Sequence, residues 1–407
     1  MWWIGIDWAE DHHDVCIMDD PGRIHREFRF PHTPEGFDQL RAYLENLSER
    51  KEDLAVGIER PDGLLVEFLV TQGYPIYPIP PKAVDRGRDR HSQSQAKDDR
   101  RDARTIADLI RTDHARFHPL VPDSDAYREL RLLVYDRMAL VKLRTQILQQ
   151  LRAALLDYYP RVLELFEDLL APVALAFLKT YPTPHDLAQA SDPQLKQFLK
   201  EHRYPNIHKH KIPKLIQEAL APQLTPNPGV MRAKSAYAQI LADQLTFLNR
   251  NIATHEGVVA SLFCSLPDAQ LFQSLPVGGP RMLPALAAVL GGNRERFPEV
   301  ELLYMHTGVV PITKMSGKSR HVHFRRACDH RARTIMRQWA FTSLKYCEWA
   351  KLLYRAKRKE GKKHELALRI VAHRWEKIIY AMWKHNTPYD ETTFLASRAN
   401  HQMRQVA

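Results

Sequence analysis

The pattern of apolar and polar residues near the start of the chain predicts a small sheet interrupted by helices. Short runs that are apolar, or that alternate with polar residues, predict strands, whereas apolar residues at helical spacing predict helices. On this basis the chain has, in order, strands at 2–8, 13–19 and 23–30, a helix at 34–48, a strand at 53–59, a helix at 64–72 and a strand at 74–78.

The order of these elements, three antiparallel strands and then alternating helix and strand, is typical of an RNase H-like α/β domain. We place this domain at residues 1–122. The prolines at 75, 78, 80 and 81 are expected to end the fifth strand and begin a loop. The polar stretch 91–97 lacks apolar periodicity and is also expected to be a loop.

Two long stretches of helical periodicity dominate the middle of the chain, at 125–158 and 232–263. They frame a proline-punctuated segment, so we expect an inserted helical arm at residues 123–264, for antiparallel coiled packing or dimerisation. An ordinary helical core fits the same pattern. The third predicted domain, residues 265–407, begins with a glycine-rich turn in SLPVGGP that is similar to a helix–hairpin–helix.

Positive charge is concentrated at one end of the chain. Residues 308–407 contain 22 Lys and Arg against 7 Asp and Glu, a net charge of +15. Since the whole chain carries +11, residues 1–307 carry −4. A solvated basic surface would account for part of this excess, and a phosphate backbone is the natural partner for the rest.

Cysteine usage and hydropathy restrict the class of protein further. The four cysteines form no CxxC pair, which favours reduced thiols in a cytoplasm and argues against a structural zinc site. No uninterrupted apolar run approaches membrane-spanning length, and the start MWWIGIDWAE does not have the pattern of a signal peptide. We therefore expect no membrane partner.

Four acids lie at predicted strand ends and at a helix start: Asp7, Glu59, Asp99 and Asp102. Buried acids of this kind need a positive partner, and Mg²⁺ prefers a few carboxylates together with phosphate oxygens and water. Asp98 stands four residues before Asp102 and satisfies the same helical geometry as Asp99. Each acid alone is more simply a turn or cap residue, but the four in this order indicate a nuclease-type metal site.

The GIDWAE segment by itself also fits an ATPase of the actin-like type, which begins with a strand bearing Gly-x-Asp. The chain has no second glycine-rich phosphate loop of the kind that such enzymes need.

A serine near the basic end is the candidate nucleophile. Ser316 is flanked by five cations, which could hold a phosphate and stabilise the developing charge: Lys314, Lys318, Arg320, Arg325 and Arg326. The local sequence Ser316-Gly317 on its own is more typical of a loop turn, and Ser319 is a nearby alternative.

These segments together resemble the DEDD transposases of bacterial insertion sequences, the insertion-sequence one-ten family of bridge-RNA-guided recombinases. The resemblance covers nearly the whole chain. It rests on GIDWAE, Glu59, the run Lys97–Ala103 that matches the family's K-x-D-x-x-D-A, and the segments TYPTPHDLAQAS, SLPVGGP, RFPEVELLYMHTGVVP and Ser316-Gly317. In two places the chain departs from the family: PVGGP at 276–280 replaces the family's PGVGP, and the tail beyond Leu344 is longer and more basic.

The resemblance implies a RuvC-like RNase H domain, a coiled-coil insertion and a mostly helical C-terminal transposase domain. It implies that Asp7, Glu59, Asp99 and Asp102 bind Mg²⁺, with the motif's register selecting Asp99 over Asp98, and that Ser316 is the nucleophile. The implied partners are donor and target DNA, a structured noncoding guide RNA, and further copies of the chain in a dimer and a dimer of dimers. The serine of one subunit would complete the metal site of another, in the bacterial cytoplasm at the nucleoid.

We therefore expect an RNA-guided DNA recombinase that works through a phosphoserine intermediate. A metal-dependent junction resolvase or nuclease, in which water attacks, is the alternative enzyme. An RNA- and DNA-binding assembly factor is the alternative without catalysis.

Overall fold

The computed structural model describes residues 1–91, 99–204, 221, 225–276, 279–317 and 319–392. The chain forms two compact units, Met1–Asp123 and Ser124–Ala407. The division into three domains expected from the sequence stays a prediction.

The first unit is built on a five-stranded mixed sheet. Its elements in chain order are β1 (Trp2–Trp8), β2 (His12–Met18), β3 (Ile24–Pro31), α1 (Pro34–Leu47), β4 (Leu54–Ile58), α2 (Leu64–Thr71), β5 (Ile76–Pro78), α3 (Pro81–His91) and α4 (Asp99–Asp113). The strand order is β3-β2-β1-β4-β5, with antiparallel pairing among the first three and parallel pairing from β1 through β5. The strands and helices predicted as far as Pro78 are confirmed, in the order of an RNase H-like domain.

The two faces of the sheet are covered differently because successive side chains of a strand point to opposite sides. Ile4 and Ile6 belong to the core that α1 and α2 complete. On the other face α4 packs directly against β1 and β4, where Gly5 and Gly57 present no side chain. A Cβ atom on Gly5 would lie 2.5 Å from the backbone nitrogen of Ala107, so only glycine permits this approach.

The loop expected after the fifth strand is wrong, because Pro81–His91 is the helix α3. A proline is tolerated in the first turn of a helix, since the N–H that it lacks would have no partner there. The helix packs on α4 at Gly87, where an added Cβ atom would lie 2.6 Å from Cγ2 of Thr105. The many charged residues of this segment hide its short apolar face. The rest of the second expected loop, 92–97, lies outside the described residues.

The second unit is helical apart from one two-stranded ribbon, within the part of the chain described. Its elements are α5 (Asp125–Tyr158), α6 (Arg161–Leu165), α7 (Pro172–Thr180), α8 (Pro184–Ala188), α9 (Asp192–Glu201), α10 (Pro228–Ser265), α11 (Ala269–Gln273), α12 (Met282–Leu290), α13 (Val300–Thr307), β6 (Ile312–Ser316), β7 (Ser319–His323), α14 (His330–Tyr346), α15 (Glu348–Lys359) and α16 (His364–Lys384).

The two long helices predicted from periodicity are confirmed as α5 and α10, and they run antiparallel. Arg137 pairs with Glu256 near one end, and Lys234 bonds to Asp157 near the other. One core surrounds the far part of this pair together with α6 to α9. A second core joins α11 to α16 around four buried tryptophans: Trp339, Trp349, Trp375 and Trp383.

The glycine-rich turn expected before α12 falls between α11 and α12, and its residues 277 and 278 lie outside the described part. No helix among the described residues is long and apolar enough to cross a bilayer.

Candidate functional site

Asp7 lies near the carboxyl end of β1, and Glu59 directly follows the neighbouring strand β4. Both acids are therefore at the same edge of the sheet. Strands β1 and β4 are parallel, with Ile6 opposite Ile58, so each acid is the next residue in the same register. Gly5 and Gly57, two positions earlier, face α4. Because strand side chains alternate, both half-buried acids lie on the α4 side of the sheet.

Asp102 joins them from the first turn of α4 and is 3% exposed. The guanidinium of Arg88 holds its carboxylate by two bonds, Nε to Oδ1 at 2.5 Å and Nη2 to Oδ2 at 2.6 Å. The hydrogen bond to Asp102 raises the pKa of Arg88, and the negative charges of Asp85 and Glu59 contribute in the same direction. Arg88 therefore lies within electrostatic reach of two of the predicted metal ligands.

The other two candidate acids are only partly placed. Asp99 begins α4, one turn before Asp102, but its side chain lies outside the described part of the structure. Asp98, the alternative ligand, lies outside the described residues altogether. The choice between these two stays a prediction.

A fifth acid in this region was missed by the sequence reasoning. Asp14 on β2 is paired directly with Asp7 on β1 and is buried. Two like charges opposite each other on a sheet destabilise it. Arg29 offsets this with bonds of 3.2 and 2.7 Å to the two carboxylate oxygens of Asp14. Asp14 is thus neutralised by a cation on the adjacent strand, which the alternation in HHDVCIM and IHREFRF could have indicated.

The donors fit a hard cation such as Mg²⁺ in chemistry, since carboxylate oxygens are the ligands that it prefers. Among the described residues, however, no group of three acids, histidines or cysteines is close enough to hold a metal ion. Asp102 has both oxygens engaged by Arg88. A metal ion bound by Asp102 would compete with Arg88 for these two oxygens. Arg88 was not predicted from the sequence because the segment that carries it was taken for a loop.

The candidate nucleophile lies in the second unit, at the end of a β-ribbon. Ser316 is the last residue of β6 and is paired with Ser319, the first residue of β7, whose hydroxyl donates to the carbonyl of Ser316 at 3.0 Å. Gly317 follows with φ of 55°, a conformation that favours glycine. The turn expected for Ser-Gly is therefore present, and it places an exposed Ser316 at the tip.

The register of the ribbon decides which side chains accompany Ser316. Lys314 is paired with His321, and Ile312 with His323. These pairs share a face with Ser316, since every second residue points to the same side. The imidazole rings of His321 and His323 are 6.2 Å apart, as expected for neighbours on one face. The two histidines were not among the predicted site residues.

The predicted cations have different environments. Arg320 is exposed and paired with Met315, on the face opposite to Ser316. Arg326 is also exposed, whereas Arg325, two residues after the end of β7, is half-buried. Lys318 lies outside the described residues.

Comparisons with known proteins point to one family. A transposase model of the DEDD, IS110 type matches residues 4–160, and a model described as the transposase IS116/IS110/IS902 family matches residues 269–355. These two matches contain the acids and Ser316 respectively.

Similar proteins cover most of the chain. The "Mini-circle putative transposase for IS117" of Streptomyces coelicolor is 32% identical over 382 residues, 91% of this chain and 91% of that protein. The "Insertion element IS900 uncharacterized 42 kDa protein" of Mycobacterium paratuberculosis is 26% identical over 402 residues, 97% of this chain and 98% of that protein. The family expected from the sequence is thereby confirmed, and the chain belongs to the IS110/IS116/IS902 family of transposases.

Proposed function

We propose that this transposase cuts, exchanges and rejoins DNA strands through a covalent bond between Ser316 and a DNA phosphate. The observation that carries the proposal is the position of Ser316 at the exposed tip of a ribbon, on one face with Lys314 and His321. A serine in an ordinary surface turn would need neither a cation nor an imidazole beside it.

His321 is the residue that we assign as base for Ser316. Side chains diagonal to each other across two antiparallel strands have Cβ atoms roughly 7–8 Å apart, within reach of an aromatic ring. The imidazole takes the proton from Oγ, the Oγ–P bond forms and the P–O3′ bond breaks, and the departing O3′ takes a proton from water. A 3′ hydroxyl later gives its proton to water and attacks the phosphoserine, the O3′–P bond forms and the P–Oγ bond breaks, and the imidazolium returns its proton to Oγ.

Asp7, Glu59, Asp99 and Asp102 are the proposed Mg²⁺ ligands. When bound, the ion would neutralise charge on the scissile phosphate and stabilise the leaving oxygen. Two observations support this assignment: the register of β1 and β4 places Asp7 beside Glu59, and the charge of Glu59 acts on the Arg88 that binds Asp102. Without an ion, Arg88 neutralises the carboxylate of Asp102.

A structured noncoding RNA is proposed as the guide that pairs with donor and target DNA. The net charge of +15 over residues 308–407 supports binding of phosphate backbones, of RNA as well as of DNA. Co-purification of one discrete RNA with the protein would test this, and its absence from active protein would exclude it.

Assembly as a dimer and a dimer of dimers is also part of the proposal. The long helices α5 and α10 line an open groove of about 1110 Å³ that includes the exposed Leu143 and Phe247. An apolar groove on a long helical pair is suited to a second copy of the chain.

If sites are shared between copies, mixing Ser316→Ala protein with Asp7→Ala protein restores part of the activity that each lacks. Absence of complementation would mean that each site is built within one chain.

The central experiment is to trap a protein–DNA adduct that survives denaturation. The probe is a DNA duplex spanning the end of the element, with RNA transcribed from the DNA flanking the gene. Ser316→Ala should abolish the adduct, whereas the control Ser319→Ala should retain it. Strand cleavage by Ser316→Ala at the wild-type rate would instead favour the nuclease in which water attacks. Full function of Asp7→Asn would favour the assembly factor.

A further inference from the structure

The β-ribbon that carries Ser316 has almost no packing of its own. All of its described residues are exposed except Ile312, which is half-buried. An isolated two-stranded ribbon is marginally stable at best in water. The direction in which the ribbon points must therefore be set where its two strands join the helical body.

The chain enters the ribbon through a glycine that packs against an arginine. Helix α13 ends at Thr307, and Gly308 follows in the left-handed conformation with φ of 64°. A Cβ atom on Gly308 would clash with Nη2 of Arg333 and lie 2.7 Å from Cβ of Cys328. Arg333 of α14 thus lies directly against the entering backbone.

The same guanidinium also binds the chain where it leaves the ribbon. Cζ of Arg333 lies 4.1 Å from the ring centre of Phe324, which directly follows β7. Its Nη2 donates to the carbonyl of Arg325, and its Nε donates to the carbonyl of Thr307 at 3.4 Å. One planar group therefore contacts both ends of the ribbon segment.

We infer that Arg333 is a positioning residue for strand transfer, which fixes the direction in which the ribbon presents Ser316 to the DNA phosphate. The inference rests on the proposed role of Ser316 as nucleophile. Arg333 itself lies at the base of the ribbon, and with strands rising roughly 3.3 Å per residue the tip is on the order of 15 Å away. Arg333 therefore acts through the backbone rather than by touching the reacting atoms.

The anchor is continuous with the helical core. The hydroxyl of Thr307 contacts both the carbonyl of Leu303 and the fully buried carboxyl of Glu376 on α16. Burial raises the pKa of Glu376 to about 8, and the hydroxyl of Thr307 donates to Oε1 of this carboxyl. Thr307 is thus held through its side chain by α16 and through its carbonyl by Arg333.

Arg369 of α16 supplies a second contact to the same ring, with Cζ 4.8 Å from the ring centre of Phe324. Burial, and then the charge of Arg333, lowers the pKa of Arg369. Among the residues that the structure describes, Arg369 donates no hydrogen bond to the ribbon backbone, so we assign the positioning role to Arg333 alone.

The test compares Arg333→Gln and Arg333→Lys with the same two changes at Arg331. Arg331 is an exposed residue of the same helix that stacks on Tyr135 instead, 4.1 Å from its ring centre. Hydrogen exchange of the peptide 309–323 and the rate of adduct formation are measured on the full chain, with the DNA and RNA probes described above. Binding of the DNA probe is measured alongside.

We expect Arg333→Gln to speed exchange in the ribbon and to slow adduct formation on the order of 100-fold, with little change in DNA affinity, since small misplacements of a reacting group carry losses of this size. Arg333→Lys should recover little, because an ammonium cannot make the planar contacts of a guanidinium. Both Arg331 variants should resemble the wild type. If an Arg333 variant does not fold, Gly308→Ala keeps the guanidinium but places a methyl group against its Nη2, which disturbs the same contact and should show the same two effects.

Three results would overturn the inference. Adduct formation at the wild-type rate in Arg333→Gln, with Ser316→Ala inactive, would remove the positioning role and leave the proposed function intact. A loss of rate that follows a loss of DNA affinity, with unchanged ribbon exchange, would make Arg333 a phosphate ligand. Adducts formed by Ser316→Ala would remove the proposed function and this inference together.

Discussion

Arg88 binds both carboxylate oxygens of Asp102, at 2.5 and 2.6 Å, at the edge of the sheet where a metal would be held. A buried acid is destabilising unless a positive group holds it, and in this structure the positive group is a guanidinium. A metal ion at the same place would compete with Arg88 for the same oxygens. This competition leads to the first prediction.

Replacing Arg88 with glutamine should lower the melting temperature without metal and raise the affinity for Mn²⁺, used as a spectroscopic substitute for Mg²⁺. The melting temperature falls because Asp102 would be left buried without its counter-charge. Breaking a fully buried pair costs about 3–5 kcal/mol of stability, and the cost is smaller here because Arg88 is partly exposed. Calorimetry would measure the melting temperature, and electron paramagnetic resonance of Mn²⁺ would measure the affinity for the ion. Arg86→Gln, an exposed change on the same helix, is the control. Unchanged ion affinity in Arg88→Gln would mean that the guanidinium does not occupy the metal site.

Replacing His321 with asparagine should slow adduct formation by about 100- to 10,000-fold, the range that a positioned general base contributes. DNA binding should hardly change, because the substitution removes no positive charge that a phosphate requires. Added imidazole should partly restore the rate in His321→Ala. His323→Asn, one pair further from Ser316 on the same face, is the matched control. Equal losses in the two variants would argue against a specific role for His321.

The contribution of Glu376 to the stability of the second unit should fall as the pH rises. Burial raises the pKa of its carboxyl from the ordinary 4.5 to about 8 in the folded protein. Between these values the folded protein keeps a proton that the unfolded chain has lost, so the favourable contribution is complete below pH 4.5 and is lost as the pH approaches 8.

Glu376→Gln removes this titration and should make the melting temperature less dependent on pH between 5 and 8 (about the window set by the two pKa values). The variant should be the more stable protein at the upper end of that window, since its amide is never charged. Glu365→Gln, an exposed change on the same helix, should leave the slope as it is. A slope that persists in Glu376→Gln would assign the pH dependence to another group.

Gly5→Ala should destabilise the first unit strongly, because the new methyl group would meet the backbone of α4 at Ala103 and Ala107. Overpacking of a closely packed site typically costs about 1–3 kcal/mol, and backbone atoms cannot move aside as a side chain can. Gly257→Ala is the matched control, because nothing lies within 4 Å of its added Cβ atom. In that exposed helical position alanine should stabilise by about 0.5–1 kcal/mol. Chemical denaturation measures both.

Local sequence patterns were sufficient for most secondary structure. Alternation within WWIGIDW and helical periodicity over the segments that became α5 and α10 depend on neighbouring residues only, so the strands and long helices were predicted nearly to their ends. Asp7, Glu59 and Ser316 could be singled out in the same way, by their places at strand ends and beside a glycine. Helix α3 was missed because its charged residues conceal the short apolar face that contacts α4.

The sequence by itself determined the family, the element order as far as Pro78, the two long helices and the candidate acids and serine, since these follow from residue types at short spacing. Only the tertiary structure decided which distant residues meet them. Arg88 reaches Asp102 because Gly87 lets α3 approach α4, and Arg333 reaches both ends of the ribbon because Gly308 leaves room for its guanidinium. Contacts of this kind depend on packing between elements far apart in the chain, and no local pattern of apolar and polar residues encodes them.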